Sequence, residues 1–335
     1  MTDPFDVLDD DDRRKLRRKR QPRWIEPMKA TLAKEAFSDP EWIFEPKLDG
    51  ERCLAFVKSS EVRLLSRNQK STNSSYPEIV EALGAQRIED AVLDGEIVAF
   101  AGDAPSFSAL QRRMHVIDPD KARRTGVKVG YHVFDILHFD GYDLSNVPLL
   151  SRKKLLRKAV RFRVPLKFVQ HRAREGEAYF KEMCARPGWE GVVAKRANGA
   201  YVHSRSRDWL KFKCSNEQEF VIGGFTDPQG SRVGFGALLV GYYDDGELRY
   251  AGKVGTGYDT ALLRELRSDL DKREIEEPPF FDRGASRRAA HWVRPELVAQ
   301  VGFSEWTGDG RLRHPRFLGL RRDKDARSVV RERPT

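Results

Sequence analysis

The 335 residues include 61 Lys and Arg against 51 Asp and Glu, a formal charge of +10, and 39% of them are apolar. That length allows two domains and that apolar share a real core, which excludes a disordered chain. No apolar run reaches membrane length and no signal-peptide core follows Met1, so a cytoplasmic setting is expected, and the basic surplus favours a polyanionic partner.

Residues 1–22 switch from acidic (DVLDDDD) to basic (RRKLRRKRQPR) and read as a charged, flexible tail, with a basic arm on nucleic acid as the other reading. Two strands follow, WIF (Trp42 to Phe44) and CLAFV (Cys53 to Val57), with Gly50 permitting a turn between them. Between them stands Lys47, surrounded by Glu45, Asp49, Glu51 and Arg52. An ordinary lysine has a pKa of about 10.4, so only about one in a thousand or fewer is an unprotonated nucleophile near neutral pH. Chemistry at Lys47 therefore requires nearby positive charge or desolvation.

EVRLLS reads as a strand ending near Arg67, a candidate anion ligand that by itself is more simply a surface arginine, and PEIVEAL as a helix. AVLDGEIVAF reads as a strand broken by a Gly turn; it carries Asp94 and Glu96, and a carboxylate in so apolar a run needs a polar partner. SFSALQRRM reads as a helix and VGYHVFDILHFDG as a strand, within which Phe134 alone would be core. PLLSRKKLLRKAV starts a basic amphipathic helix, LKFVQH a strand and GEAYFKEMCA a helix. WEGVVAKRA is a strand with Glu190 and Lys195 at its ends; SRDWLKFKC is another, whose Lys211 and Lys213 share one face, as a solvated edge or a phosphate clamp. After Cys214 come short, glycine-punctuated strands with one helix, the texture of a small OB-type barrel. Cys53, Cys184 and Cys214 form no CxxC pair, which excludes a cysteine zinc cluster, speaks against disulfides and implies a reducing compartment.

In order, EPKLDGER, SRN, LDGEIVAF, VFDIL, EGVVAK, WLKFK and RRDK resemble the nucleotidyltransferase motifs of ATP-dependent DNA ligases, over residues 25 to 325. Phrases such as WTGDGRLRHPRFLGLRRDK are most similar to the ligase domain of the bacterial end-joining ligase, ligase D, here expected alone. The resemblance implies an α+β fold: a tail over 1–22, a nucleotidyltransferase domain of antiparallel sheets with flanking helices over 23–216, and an OB-fold barrel over 217–335. It implies that Lys47 becomes a lysyl-AMP, with Asp49, Lys211 and Lys213 in the catalytic set. Glu45, Arg52, Glu96, Phe134 and Lys195 would join Lys47, Lys211 and Lys213 around ATP. Lys195, Lys211, Lys213 and a metal would lower the pKa of Lys47. Glu190 and Glu96 would hold Mg²⁺ or Mn²⁺, Arg321, Asp323 and Lys324 would orient pyrophosphate, and Arg67 and Arg205 would bind the 5′-phosphate.

The implied partner is nicked or broken duplex DNA, with a Ku-like end-binding protein and a separate repair polymerase beside it. A monomer near the bacterial nucleoid is expected, with a hinge around residues 214–219. Gln69 and Ser71 depart from the glycine and acid usual after the arginine of that motif, and YVHSRS replaces a Pro-Gly turn. NAD is not expected as the AMP donor, since few residues precede Lys47 and no cysteine zinc site is possible. An RNA ligase or capping enzyme is the nearest alternative, and a non-catalytic DNA-binding module the more remote one.

Overall fold

A computed structural model describes residues 3–214, 216–228, 230–282 and 290–332. The chain divides into two units, Met1–Cys214 and Ser215–Arg333. The hinge expected at 214–219 includes residue 215, which lies outside the described residues. Among the described residues no helix is long and apolar enough to cross a membrane.

The first unit is α+β, with two largely antiparallel sheets. The larger runs, in order, through Arg17–Arg18, Tyr142–Asp143, Val129–Phe139, Asp90–Ala101, Glu51–Lys58 and Glu61–Ser66. The smaller runs through Arg172–Ala173, Trp42–Pro46, Gly191–Arg196, Arg205–Lys213 and Lys29–Leu32. Side-chain alternation gives each strand two destinies. From Glu51–Lys58, the residues Cys53, Ala55 and Val57 enter a core beneath the large sheet, with Leu93, Tyr131, Val133 and the helix residues Ile79 and Leu156. Leu54 and Phe56 face the other way and meet Val92, Phe134, Leu137 and Trp209 in a layer between the two sheets. The outer face of the small sheet buries Trp42, Phe44, Val192, Ala194 and Phe212 against Met183 of the helix Gly176–Cys184.

Trp42–Pro46 and Glu51–Lys58 do not form a hairpin. Each pairs with other strands, in different sheets, so Lys47 rides a crossover between the sheets. Gly50 is held there by space: a Cβ would lie 2.2 Å from the Ile97 carbonyl oxygen. Gly95 does not break its strand either, since Asp90–Ala101 is continuous over 12 residues. A side chain at 95 would meet the Tyr131 ring at 2.6 Å, and Tyr131 donates a hydrogen bond to the Cys53 carbonyl at 2.9 Å.

The amino-terminal segment is not a flexible tail. Phe5 and Leu8 are buried, Asp3 and Asp9 cap its two short helical turns, and Arg17–Arg18 pairs with Tyr142–Asp143. The Gln21 amide donates to the Val57 and Ala91 carbonyls. Two apolar anchors among many charges suffice to dock it. Cys184 and Cys214 form a disulfide, contrary to the expectation from their scattered spacing, and only Cys53 is a free thiol, buried in the core. The fold brings the end of a helix to the end of a strand across 30 residues of sequence, which spacing does not reveal.

The second unit is the OB-like one. Its seven-stranded sheet centres on Asn216–Thr226, which pairs with Leu238–Asp244, Ala290–Val293 and Val298–Phe303. The helix Thr260–Asp271, capped by Asp259, buries Leu263, Leu266 and Leu270 into that unit's core.

Candidate active site

The site is a cleft between the two sheets of the first unit. In the small sheet, Glu45 pairs with Val193, Val193 with Lys211, Lys195 with Trp209, and Gly191 with Lys213. Residues directly opposite in such ladders share a face, so Glu45, Lys195, Trp209, Lys211 and Lys213 line one side of the cleft. Arg52, Glu96 and Phe134 come from the large sheet, with Arg52 opposite Glu96 in register.

Lys47 makes an ion pair with Glu190 and its backbone N–H donates to the Gly191 carbonyl at 2.9 Å. Burial works to lower the Lys47 pKa, but Glu190, then Asp49 and Glu96, outweigh it and hold the pKa above the ordinary lysine value. Lys213 and Lys211 act on Glu190, where with Lys47 they overcome burial and lower its pKa. Neither Asp49, Glu96, Lys211 nor Lys213 is free of interactions.

Glu45 is almost wholly buried, with one carboxylate oxygen 2.5 Å from Lys153 Nζ and the other 2.6 Å from Lys195 Nζ. Burial disfavours its charge, yet the two ammonium groups hold its pKa below the usual carboxylate range. Both oxygens of its side chain are thus engaged by lysines. Burial leads the causes that lower the pKa of Lys195, whose ammonium lies 4.0 Å from the Phe134 ring centroid and 4.1 Å from that of Trp209. Lys153 also donates to the Val169 carbonyl at 3.0 Å and lies 3.4 Å from that of Phe134. One ammonium therefore joins the Phe134 strand to the strand that leads into Lys47.

Arg52 forms a two-pronged pair with buried Asp94, at 2.8 and 2.5 Å, and donates to the Met28 carbonyl at 2.8 Å. Tyr201 braces Asp94 with a 2.7 Å hydrogen bond, and the guanidinium lies 5.1 Å from the Phe134 ring centroid. The arginine is fixed beneath the cleft rather than loose in it.

Ser66 is opposite Cys53, so Arg67 leaves the large sheet at the end where Lys47 lies. The tight turn there puts Gln69 at φ +60°, the left-handed region that favours glycine. Arg205 begins the strand that ends at Lys213, an irregularity between Ser206 and Leu210 shortens the path between them, and Arg205 donates to the Ala30 carbonyl at 2.5 Å. Arg321 and Asp323 pair with each other at 3.0 Å, and Lys324 pairs with Glu219 at 2.6 Å, all within the second unit.

Among the described residues no three His, Cys, Asp or Glu side chains gather as a metal cluster. Carboxylates offered in ones and twos, Glu190 and Glu96, suit an ion that completes its shell with phosphate oxygens and water, as Mg²⁺ does. Those residues fit that kind of site.

Lys153 is the main residue missed in the sequence. Its helix, Leu149–Ala159, buries Leu149, Arg152, Lys153, Leu155 and Leu156, so the helical spacing from Leu149 to Leu156 placed both cations on the apolar stripe. Arg152 likewise pairs with buried Asp135, at 2.8 Å through each prong.

Residues 27–213 match the family described as ATP dependent DNA ligase domain, and residues 231–324 the ATP dependent DNA ligase C terminal region. The chain is 37% identical over 321 residues to the multifunctional non-homologous end joining protein LigD of Pseudomonas aeruginosa, covering 93% of this chain and 37% of that protein. It is 37% identical over 318 residues to the multifunctional non-homologous end joining DNA repair protein LigD of Mycobacterium tuberculosis, covering 92% and 40%. The chain thus spans 37 to 40% of the length of these curated relatives. The solved structure of mycobacterial DNA ligase D complexed with ATP and MES is similar at 34% identity and a TM-score of 0.64, covering 92% of this chain and 98% of that one.

Proposed function

The chain belongs to the ATP-dependent DNA ligase family, and on that premise we propose that it seals nicks between a 3′-hydroxyl and a 5′-phosphate in duplex DNA through an AMP carried on Lys47. The observation that carries this reading is the cleft itself. Lys47 lies against Glu190 on the crossover, beside a sheet face that bears Lys195, Lys211 and Lys213.

Lys47 first gives up its proton to solvent, and the free Nζ attacks the α-phosphorus of ATP; the N–P bond forms as the bond to pyrophosphate breaks. Lys211 and Lys213 neutralise the charge that builds on the phosphoryl oxygens. Phe134 stacks on adenine and Arg52 and Glu96 face the ribose. Glu190 and Glu96 would hold a Mg²⁺ or Mn²⁺, which would supply phosphate polarisation and draw Glu190 from Lys47. The AMP then passes to the 5′-phosphate of the nick, with Arg67 and Arg205 as its ligands, and the 3′-hydroxyl displaces AMP to close the strand. Arg321, Asp323 and Lys324 serve the departing pyrophosphate.

The similarity to LigD proteins supports a setting in non-homologous end joining. A Ku-like protein that holds broken ends and a repair polymerase that fills them are the partners this setting calls for. Incubation with labelled ATP and Mg²⁺ or Mn²⁺ should leave label on the protein, and Lys47→Ala should abolish it. Labelling from GTP in preference to ATP, or sealing of nicked RNA in preference to nicked DNA, would reject the reading.

A further inference from the structure

One covalent bond ties the cleft to a fixed platform and has no part in the chemistry above. Cys184 ends the helix Gly176–Cys184, whose Met183 is buried with Trp42, Phe44 and Phe212 of the small sheet. Cys214 follows Lys213 at the end of the strand Arg205–Lys213, and its backbone N–H donates to the Glu190 carbonyl at 3.0 Å. The disulfide between Cys184 and Cys214, 30 residues apart in sequence, closes a loop that contains Glu190, Lys195, Lys211 and Lys213.

The place of that bond decides what it controls. A short turn, Ala185 to Trp189, separates Cys184 from Glu190, and Lys213 adjoins Cys214 directly. Gly191 pairs with Lys213 in register, and Glu190 makes the ion pair with Lys47. With the bond formed, Glu190 and Lys213 are tied to the helix from both ends of the loop. With it broken they lose that tie and keep the ladder and the hydrogen bond to the Glu190 carbonyl. Cys184 is exposed and Cys214 half-buried, so a thiol reaches the bond from solvent, and exposed disulfides belong to the labile, regulatory class. Cys53, the remaining thiol, is buried in the core, where burial pushes its pKa well up, and it takes no part.

We propose that the Cys184–Cys214 pair is a redox switch on nucleotide transfer: oxidised, it fixes Glu190 against Lys47 with Lys213 beside it, and reduced, it lets both drift and slows the attack on ATP. The reductant is a dithiol. Its thiolate attacks the Cys184 sulfur and the S–S bond breaks, with Cys214 leaving as a thiolate that takes up a proton. The second thiol of the reductant then displaces Cys184, so the protein gains two thiols as the dithiol becomes a disulfide. A disulfide oxidant reverses both steps. The inference rests on the adenylation reading above and names a control over it.

The test is the single-turnover rate of Lys47 labelling by ATP in the full chain, oxidised with glutathione disulfide or reduced with dithiothreitol, below the melting temperature of the reduced protein. Maleimide mass shifts count the thiols, and two more should react after reduction. The oxidised protein should be labelled about tenfold faster or more, the cost expected when a reacting group loses its position. The ATP concentration for half-maximal rate should stay the same, and reoxidation should restore the fast rate. Cys184→Ser should be labelled at the reduced rate under both conditions. Equal rates for wild type in the two states would overturn the inference, as would a Cys184→Ser protein that still answers to the reductant. A loss confined to the ATP concentration for half-maximal rate, or one accompanied by loss of near-ultraviolet circular dichroism, would make the bond merely structural and overturn it too. A wild type labelled in neither state would overturn the adenylation reading and this inference with it, whereas labelling indifferent to redox state overturns the inference alone.

Discussion

Glu45→Gln isolates what holds the two sheets together at the cleft. Gln keeps the shape of the side chain and removes its charge, leaving Lys153 and Lys195 buried with no shared counterion. At 2.5 and 2.6 Å from one carboxylate, their nitrogens are at most about 7 Å apart; at an effective dielectric constant near 20, like charges at that distance repel by about 2.4 kcal/mol. Breaking a buried pair costs about 3–5 kcal/mol, which corresponds to a fall of about 6–20 °C in melting temperature for a unit of this size. Lys153→Met should cost less, about 1–3 kcal/mol, because Glu45 and Lys195 remain a neutral pair and chiefly hydrogen bonds are lost. The sign with pH follows. In Glu45→Gln the buried lysines bind protons less well than in the unfolded chain, so stability rises with pH and the gap from wild type narrows between pH 7 and pH 10. Lys195, whose pKa already lies below the ordinary value of 10.5, sheds its proton first. Thermal unfolding of the wild type and both variants across that range is the assay. A loss at pH 7 no greater than that of Lys153→Met, or one independent of pH, would refute the reasoning.

Three further outcomes are expected. On the acid side, Glu45 and Asp323 have depressed pKa values, so their stabilisation is complete above the ordinary carboxylate range and lost as pH falls through it and below; urea midpoints measured from pH 6 down to pH 3 should fall, and a flat profile would contradict the pairing. Reducing the Cys184–Cys214 bond opens a loop of 30 residues, worth about 3.6 kcal/mol in the chain-entropy account; a reductant should lower the melting temperature of wild type but not of Cys184→Ser, and equal responses would dismiss the disulfide as a stabiliser. Gly95→Ala should cost about 1–3 kcal/mol by overpacking against Tyr131; an unchanged denaturation midpoint would show that the ring moves aside freely.

The motif residues were legible because strand alternation and local charge mark them: Glu96 and Asp94 in an apolar run demanded partners, and Lys211 and Lys213 share a face by spacing alone. What stayed hidden was long-range. A two-residue period shows a strand but not its sheet, so the crossover under Lys47 reads as a hairpin turn. Gly95 reads as a break because its reason, the Tyr131 ring, comes from a strand more than thirty residues on. Lys153 looks solvated within a basic helix until Glu45 arrives from another sheet to offset its burial. Phe5 and Leu8 are too few among charges to announce a docked segment, yet two apolar anchors with capped turns dock it.

The crossover also explains why Lys47, the proposed nucleophile, rests charged. A buried ammonium is expensive without a partner, and Lys47, only 19% exposed, has little solvent to turn to. Glu190, Asp49 and Glu96 meet that need and raise its pKa, while the charges of Lys211 and Lys213 act on Glu190 and lower its pKa. The cations already in the cleft therefore do not free Lys47 of its proton. A triphosphate alone adds negative charge and strengthens the ammonium further. On the proposed reaction, positive charge that competes for Glu190 as the nucleotide binds would favour loss of the Lys47 proton.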